Sequence, residues 1–225
     1  MSEKTAAILG STGMIGSYLL ELILADNYFS TVRVLVRRPV PRKTDQVEVK
    51  LVDFNDAESF RLALEDCQTI FSCIGTTQKN VKGNNELYRQ VDFDIPLKAA
   101  RFGKDAGCTK FILVSSVGAN SKSSTFYLRL KGELEEAIHK VGLDAVHVLQ
   151  PSMLLGERTE KRTAEKVMQG AMKFLNPVFG GSLRKYRAIH GKTVASAMLK
   201  LAKELKAGFY RYTYDDIKRL GRADV

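Results

Sequence analysis

Short apolar, β-branched runs recur along the chain at Ala6–Leu9, Val32–Val36, Val47–Val52, Thr69–Ile74, Lys110–Val114 and Ala145–Leu149. Each has the length of a strand buried on both faces. The stretches between most of them carry helical spacing. Ile15–Ala25 repeats apolar residues at Ile15, Leu19, Leu22 and Ile23, and Ala57–Leu64, Leu87–Ala106 and Phe126–Val141 follow. Strand alternating with helix predicts an α/β fold, a doubly wound parallel sheet, because parallel neighbours need crossover connections. Pro39–Gln46, between the second and third runs, is expected as a loop. After Leu149 the pattern changes: a loop over Gln150–Glu160, a helix over Ala164–Leu175, a Gly- and Pro-punctuated connection over Asn176–Ile189 and a helix over Thr193–Leu205. Residues from about 150 to 225 are expected to form a small C-terminal helical lobe on the substrate side of one domain spanning 1–225.

Composition narrows the class. The 225 residues are 44% hydrophobic, enough for a full core. The apolar stretch Tyr18–Ala25 is broken by Glu21, and Met1–Thr5 has no basic flank leading into an apolar region, so neither a signal peptide nor a membrane span is expected. Cys67, Cys73 and Cys108 form no C-x-x-C pair, which argues against a disulfide framework or a zinc site and for a cytoplasmic protein. The formal charge of +10 raises the question of nucleic acid. The positive residues are dispersed, with modest groups at Arg37–Lys43, Arg158–Lys166 and Arg184–Arg187, and no nucleic-acid motif accompanies them. No nucleic-acid partner is expected.

Three glycines, Gly10, Gly13 and Gly16, follow the first strand and open the first helix. In that setting the first permits a tight turn, the second lets a pyrophosphate approach the backbone, and the third lets helix pack on strand. The free N–H groups of the helix start then face the anion. A G-x-x-G-x-x-G is expected by chance only about 0.1 times in such a chain. The end of the second strand, where an NAD site would carry an acid for the ribose, holds Arg37 and Arg38 instead. Guanidinium groups there suit the 2′-phosphate of NADP(H). Asp53, after the third strand, is read either as reaching the adenine amino group or as a helix N-cap.

The fifth strand runs into Ser115 and Ser116, and Tyr127-Leu-Arg-Leu-Lys131 follows. On a helix Tyr127 and Lys131 lie one turn apart on the same face. A phenol with a pKa of about 10 is a poor acid at neutral pH, and a neighbouring ammonium favours its phenolate. A carbonyl held by Ser116 and Tyr127 could accept hydride while Tyr127 supplies the proton and Lys131 holds the nicotinamide ribose. Y-x-x-x-K is a common spacing, and a second copy stands at Tyr214 and Lys218. That copy has no strand-ending serine before it, lies in what reads as a polar tail, and is set aside.

Cys73-Ile74-Gly75-Thr76-Thr77 ends the fourth strand at the edge where such sheets bind ligands, with Cys73 read as a small buried hydrophobe. His139 is read as helix surface and His147 as a sheet residue, and with His190 they share no metal-ligand spacing. Arg158 and Arg162 are read either as partners for a cofactor phosphate or anionic substrate, or as solvated loop charges.

Together GSTGMIG, VLVRRP, CIGTT, RQVDFD, LVSSVGANSKSS, FYLRLKGELEE and QPSMLLGER resemble the short-chain dehydrogenase/reductase superfamily. The glycine spacing points to its extended and atypical branches, and the likeness is closest to the Tat-interacting oxidoreductase-like group. It covers roughly Ala6 to Ala202. The resemblance implies a Rossmann-like NADP(H)-binding fold with Ser116, Tyr127 and Lys131 in the catalytic positions. It also implies a cofactor lined by Gly10, Ser11, Thr12, Gly13, Met14, Ile15, Arg37, Arg38, Gly75, Thr76 and Arg162. To these the reading of the residues adds Gly16, Asp53, Cys73 and Ser115. The chain departs from the group at Gln150-Pro151-Ser152, where relatives have Arg-Pro-Gly, so the ligand contact of that arginine is not carried over. The expected function is an NADP(H)-dependent oxidoreductase acting on an unidentified small carbonyl or alcohol. The alternatives are an NADPH-sensing binding protein with little turnover and an epimerase or isomerase. A protein partner or homodimer is left open.

Overall fold

The computed structural model describes residues 4–42, 44–156 and 181–222. Its strands are β1 (Thr5–Leu9), β2 (Thr31–Val36), β3 (Val47–Leu51), β4 (Thr69–Ser72), β5 (Lys110–Val114), β6 (Ala145–Leu149), the two-residue β7 (Leu154–Leu155) and β8 (Ile189–His190), and β9 (Gly208–Tyr212). Seven of them form one sheet in the order β3-β2-β1-β4-β5-β6-β9, with every neighbouring pair parallel. β7 and β8 pair separately. The helices are α1 (Met14–Asp26), α2 (Ala57–Leu62), α3 (Asn85–Arg89), α4 (Ile95–Asp105), α5 (Phe126–Val141), α6 (Gly191–Lys203) and α7 (Tyr214–Leu220).

Both faces of the central strands are covered, which is why β1, β4 and β6 are buried along their whole length and read as apolar runs. Successive residues of β1 divide between two cores. Ala7 and Leu9 join Phe60, Ala99, Leu130 and Leu134 from α2, α4 and α5. Ala6 and Ile8 join Leu19, Ile23, Val194, Met198 and Ile217 from α1, α6 and α7. This is the period of two expected of a strand buried on both sides.

The Leu87–Ala106 expectation is refined by a π-helical turn, Gln90–Asp94, which joins α3 to α4. Pro96 has no N–H to return to the carbonyl of Asp92, and its ring crowds that carbonyl, so the helix widens just before it. The Ile95 N–H accordingly bonds back to the carbonyl of Gln90.

Two expectations about the C-terminal part are corrected. The stretch holding Tyr214 and Lys218 is not a polar tail: it is α7, with Tyr214 and Ile217 buried against the core. Before it, Gly208–Tyr212 supplies an edge strand that the sequence pattern did not single out, because alternation with half-exposed residues and Arg211 leaves it no continuous apolar run. The helix expected from Thr193 starts at Gly191, where His190 Nδ1 caps it by accepting from the Lys192 N–H at 3.2 Å. The helix expected over Ala164–Leu175 lies outside the described residues, as do Arg158 and Arg162.

Candidate active site

The strand order reverses between β1 and β4, and the loops that leave these two strands meet there, the place where open α/β sheets bind ligands. Gly10 has a φ of +83°, and a Cβ on it would lie 2.8 Å from the backbone of Cys73 and Ile74. A Cβ on Gly16 would lie 2.1 Å from the Gly10 carbonyl oxygen. Only glycine lets the loop fold this tightly onto β4 and α1. Between them Gly13 is exposed and serves as the N-cap of α1, with no side chain capping the helix and no acidic residue in its first turn. The start of this 13-residue helix is therefore open to an anion. Ser11 is buried in the loop, Thr12 is exposed, Met14 is half-buried, and Ile15 belongs to the core below. The cradle fits the pyrophosphate of a dinucleotide.

Arg37 and Arg38 lie exposed immediately after β2, at the same edge of the sheet. Asp53 is exposed after β3 and accepts from the Asn55 N–H at 2.9 Å. The N-cap alternative for Asp53 is corrected: Asp56 caps α2, accepting from the Glu58 N–H. Cys73 is half-buried, and burial pushes its thiol up to about 12, so it stays protonated and is no nucleophile.

The residues expected to be reactive lie on α5 and at the end of β5. Lys131 is buried, and its Nζ lies 2.8 Å from Asp92 Oδ1, which is buried too. Burial alone would lower the lysine pKa. The Asp92 carboxylate, with the Tyr127 phenol and Glu135 adding to it, outweighs burial and holds the ammonium above its ordinary value. The other oxygen of Asp92 accepts from the Thr76 N–H at 2.6 Å, and the carboxylate also lies beside Gly75. One carboxylate thus ties the loop after β4 to the lysine of α5. Sequence reasoning did not single out Asp92. Its signal was Pro96, which distorts the helix where the aspartate turns inward.

Tyr127 is more exposed, at 37%, and its ring centroid is 6.0 Å from Lys131 Nζ. Tyr88 packs edge-on against it at 6.4 Å and donates to the Thr76 carbonyl at 3.3 Å. The two serines divide their roles. Ser115 is buried and donates its hydroxyl to Glu135 Oε1 at 2.5 Å. Ser116 is half-buried, and among the described residues its hydroxyl makes only a long 3.4 Å bond to the Val117 carbonyl, which leaves it available. Glu135 is the second residue sequence reasoning passed over. It stands four residues after Lys131 and also accepts from Gln150 and Arg211.

Of the histidines, His139 is exposed on α5 and His147 is buried in β6. Among the described residues no group of three His, Cys, Asp or Glu could hold a metal ion, and no helix is long and apolar enough to cross a membrane.

Residues 10–204 match a family model described as NAD(P)H-binding. Protein HTATIP2 from Rattus norvegicus is 35% identical over 202 residues, 88% of this chain and 81% of that protein. A Debaryomyces hansenii protein named "Protein FMP52, mitochondrial" is 36% identical over 206 residues, 89% of this chain and 88% of its own. Further relatives from Scheffersomyces stipitis, Candida glabrata and Aspergillus niger are likewise named as mitochondrial. These relatives overturn the cytoplasmic expectation, which rested on cysteine usage alone: free thiols mark a reducing compartment and do not say which one. Among solved structures, a UDP-N-acetylglucosamine 4-epimerase from Methanobrevibacter ruminantium superposes with a TM-score of 0.69 at 19% identity, covering 98% of this chain and 81% of that one. A Thermus thermophilus UDP-glucose 4-epimerase in complex with NAD gives 0.69 at 17% identity over 96% and 80%. At these identities the likeness is one of fold. With the glycine cradle, the sheet order and these relatives taken together, the chain belongs to the NAD(P)H-binding, atypical short-chain dehydrogenase/reductase family, close to HTATIP2 and FMP52.

Proposed function

We propose that the protein is an NADP(H)-dependent oxidoreductase that moves hydride to or from a small carbonyl or alcohol, with Tyr127 as the general acid/base. The observation that carries the reading is the packing of Tyr127 and Lys131 on one face of α5, with the lysine held by the buried Asp92 carboxylate. The dinucleotide would be held by Gly10, Ser11, Thr12, Gly13 and Met14 at the pyrophosphate, with Gly75, Thr76 and Lys131 toward the nicotinamide. Arg37 and Arg38 would take the 2′-phosphate. Once bound, the nicotinamide would give hydride to a carbonyl in its reduced form or accept it from an alcohol in its oxidised form. The protein's own part is to hold the substrate oxygen between the hydroxyls of Ser116 and Tyr127 and to pass the proton at the Tyr127 oxygen. Lys131, kept charged by Asp92, sits within reach of that oxygen's developing charge.

The test is a titration with NADPH and, separately, NADH, followed by nicotinamide fluorescence and repeated with Arg37→Ala/Arg38→Ala. NADPH is expected to bind more tightly than NADH, and the double variant to weaken NADPH toward the NADH value. Equal affinities unaffected by the substitutions would overturn the NADP preference. Binding of neither nucleotide would overturn the oxidoreductase reading.

A further inference from the structure

A cavity of about 390 Å³ opens between the 117–121 loop, α5 and the ends of β6 and β9. Neither the glycine loop nor Tyr127 nor Lys131 lines it. Its volume is in the range of small-molecule sites. The charged groups facing it are Glu135, Glu136, Lys185 and Arg211. Glu135 is buried and saturated: Ser115 Oγ donates at 2.5 Å, Gln150 Nε2 at 2.9 Å and Arg211 Nε at 2.6 Å. Glu136 accepts from Ser121 Oγ.

The two cations are placed differently. Among the described residues Arg211 engages Glu135 through its Nε alone, and its guanidinium lies over the Phe209 ring at 4.7 Å, so the group is fixed in orientation. Its side chain is still 47% exposed, and among the described residues no hydrogen bond engages its terminal nitrogens. Lys185 is exposed and forms no ion pair among the described residues. A guanidinium pinned at one edge is pre-organised to receive an oxyanion at the other, at little entropic cost. A neighbouring ammonium adds charge to the same oxyanion.

We propose that this cavity is a second small-molecule site, separate from the dinucleotide groove, that takes a ligand bearing a carboxylate or phosphate group clamped by Arg211 and Lys185. It shares the Ser115–Glu135–Gln150 floor with the end of β5, so an occupant would touch the loop that begins at Ser116.

The experiment is calorimetric titration of the full chain with inorganic phosphate and with citrate, each with and without saturating NADPH. At least one probe is expected to bind saturably with NADPH present, and which one does so separates a phosphate from a carboxylate ligand. Arg211→Lys, which keeps a cation near Glu135, is expected to weaken that binding at least tenfold. Lys185→Gln, on an exposed position that leaves the fold intact, is expected to weaken it severalfold, and neither change should alter NADPH affinity. If saturating NADPH abolishes binding of both probes, the anions occupy only the pyrophosphate cradle and the proposal fails. Binding that neither substitution changes overturns it as well.

Discussion

Lys131 Nζ lies 2.8 Å from Asp92 Oδ1 with both side chains buried, so the ammonium below Tyr127 has its own internal counter-ion. Asp92 is held in turn by the Thr76 N–H. The pair joins the α3–α4 helix, α5 and the loop after β4.

Removing one partner of a buried pair leaves the other charge uncompensated, which costs about 3–5 kcal/mol. Asp92→Ala is therefore expected to lower the unfolding free energy by about that much in urea denaturation. Asp92→Leu with Lys131→Met, which removes both charges, is expected to recover most of the loss. If Asp92→Ala costs under about 1 kcal/mol, the pair is not the counter-ion arrangement described.

Tyr127→Phe separates an enzyme from a cofactor sensor. The ring packs on Tyr88 without needing the hydroxyl, so fold and NADPH affinity are expected to stay within about twofold of the parent. Loss of a general acid lowers turnover by about 10²–10⁴-fold. On any carbonyl compound the protein reduces, the variant should fall in that range. Unchanged turnover would remove Tyr127 from the chemistry.

The sheet was legible because strands covered on both faces are mostly apolar, as in β1, β4 and β6, while the β-branched spacing of Val47, Val49 and Val32, Val34 marked the outer strands β3 and β2. The glycine loop was legible because close backbone approach admits no other residue, as Gly10 and Gly16 show. What stayed hidden depends on long-range pairing. The run containing Arg211 becomes a strand by pairing with β6. Asp92 becomes a site residue only when the π turn brings it to Lys131, 39 positions away in the chain. Ser115 and Ser116 are adjacent and chemically alike, and only the reach of Glu135 tells them apart.

Gly13 and Gly16 should respond differently to alanine. At Gly16 the new methyl would meet backbone at 2.1 Å and 2.8 Å, which cannot move aside. Overpacking of this kind costs about 1–3 kcal/mol or more, and Gly16→Ala is expected to lose stability and NADPH binding together. At Gly13 the nearest contact would be 3.3 Å in an exposed position, so the fold should lose less than about 1 kcal/mol. The methyl would instead stand where the pyrophosphate approaches. NADPH affinity of Gly13→Ala is expected to drop at least tenfold, measured beside a thermal melt. Retained affinity would place the pyrophosphate elsewhere.

His147 gives the protein an acid-sensitive joint at the sheet edge. Its ring is fully buried in β6, stacked on Tyr210 of β9, with Nδ1 2.9 Å from the Tyr212 hydroxyl. Nε2 has no hydrogen-bond partner among the described residues. Burial, with Lys110 and Lys206 adding to it, pushes the imidazole down to about 4 from an ordinary 6.5. Above about 6.5 folded and unfolded chains both hold it neutral, and it contributes no pH dependence. Between about 6.5 and about 4 the unfolded chain takes up a proton that the folded one refuses, so stability falls as pH falls. The loss amounts to about 3 kcal/mol at most. Urea midpoints measured from about pH 7.5 to about pH 4.5 are expected to decline more steeply for the parent than for His147→Gln. Parallel declines in the two proteins would show that the acid sensitivity lies in the carboxylates and not in this ring.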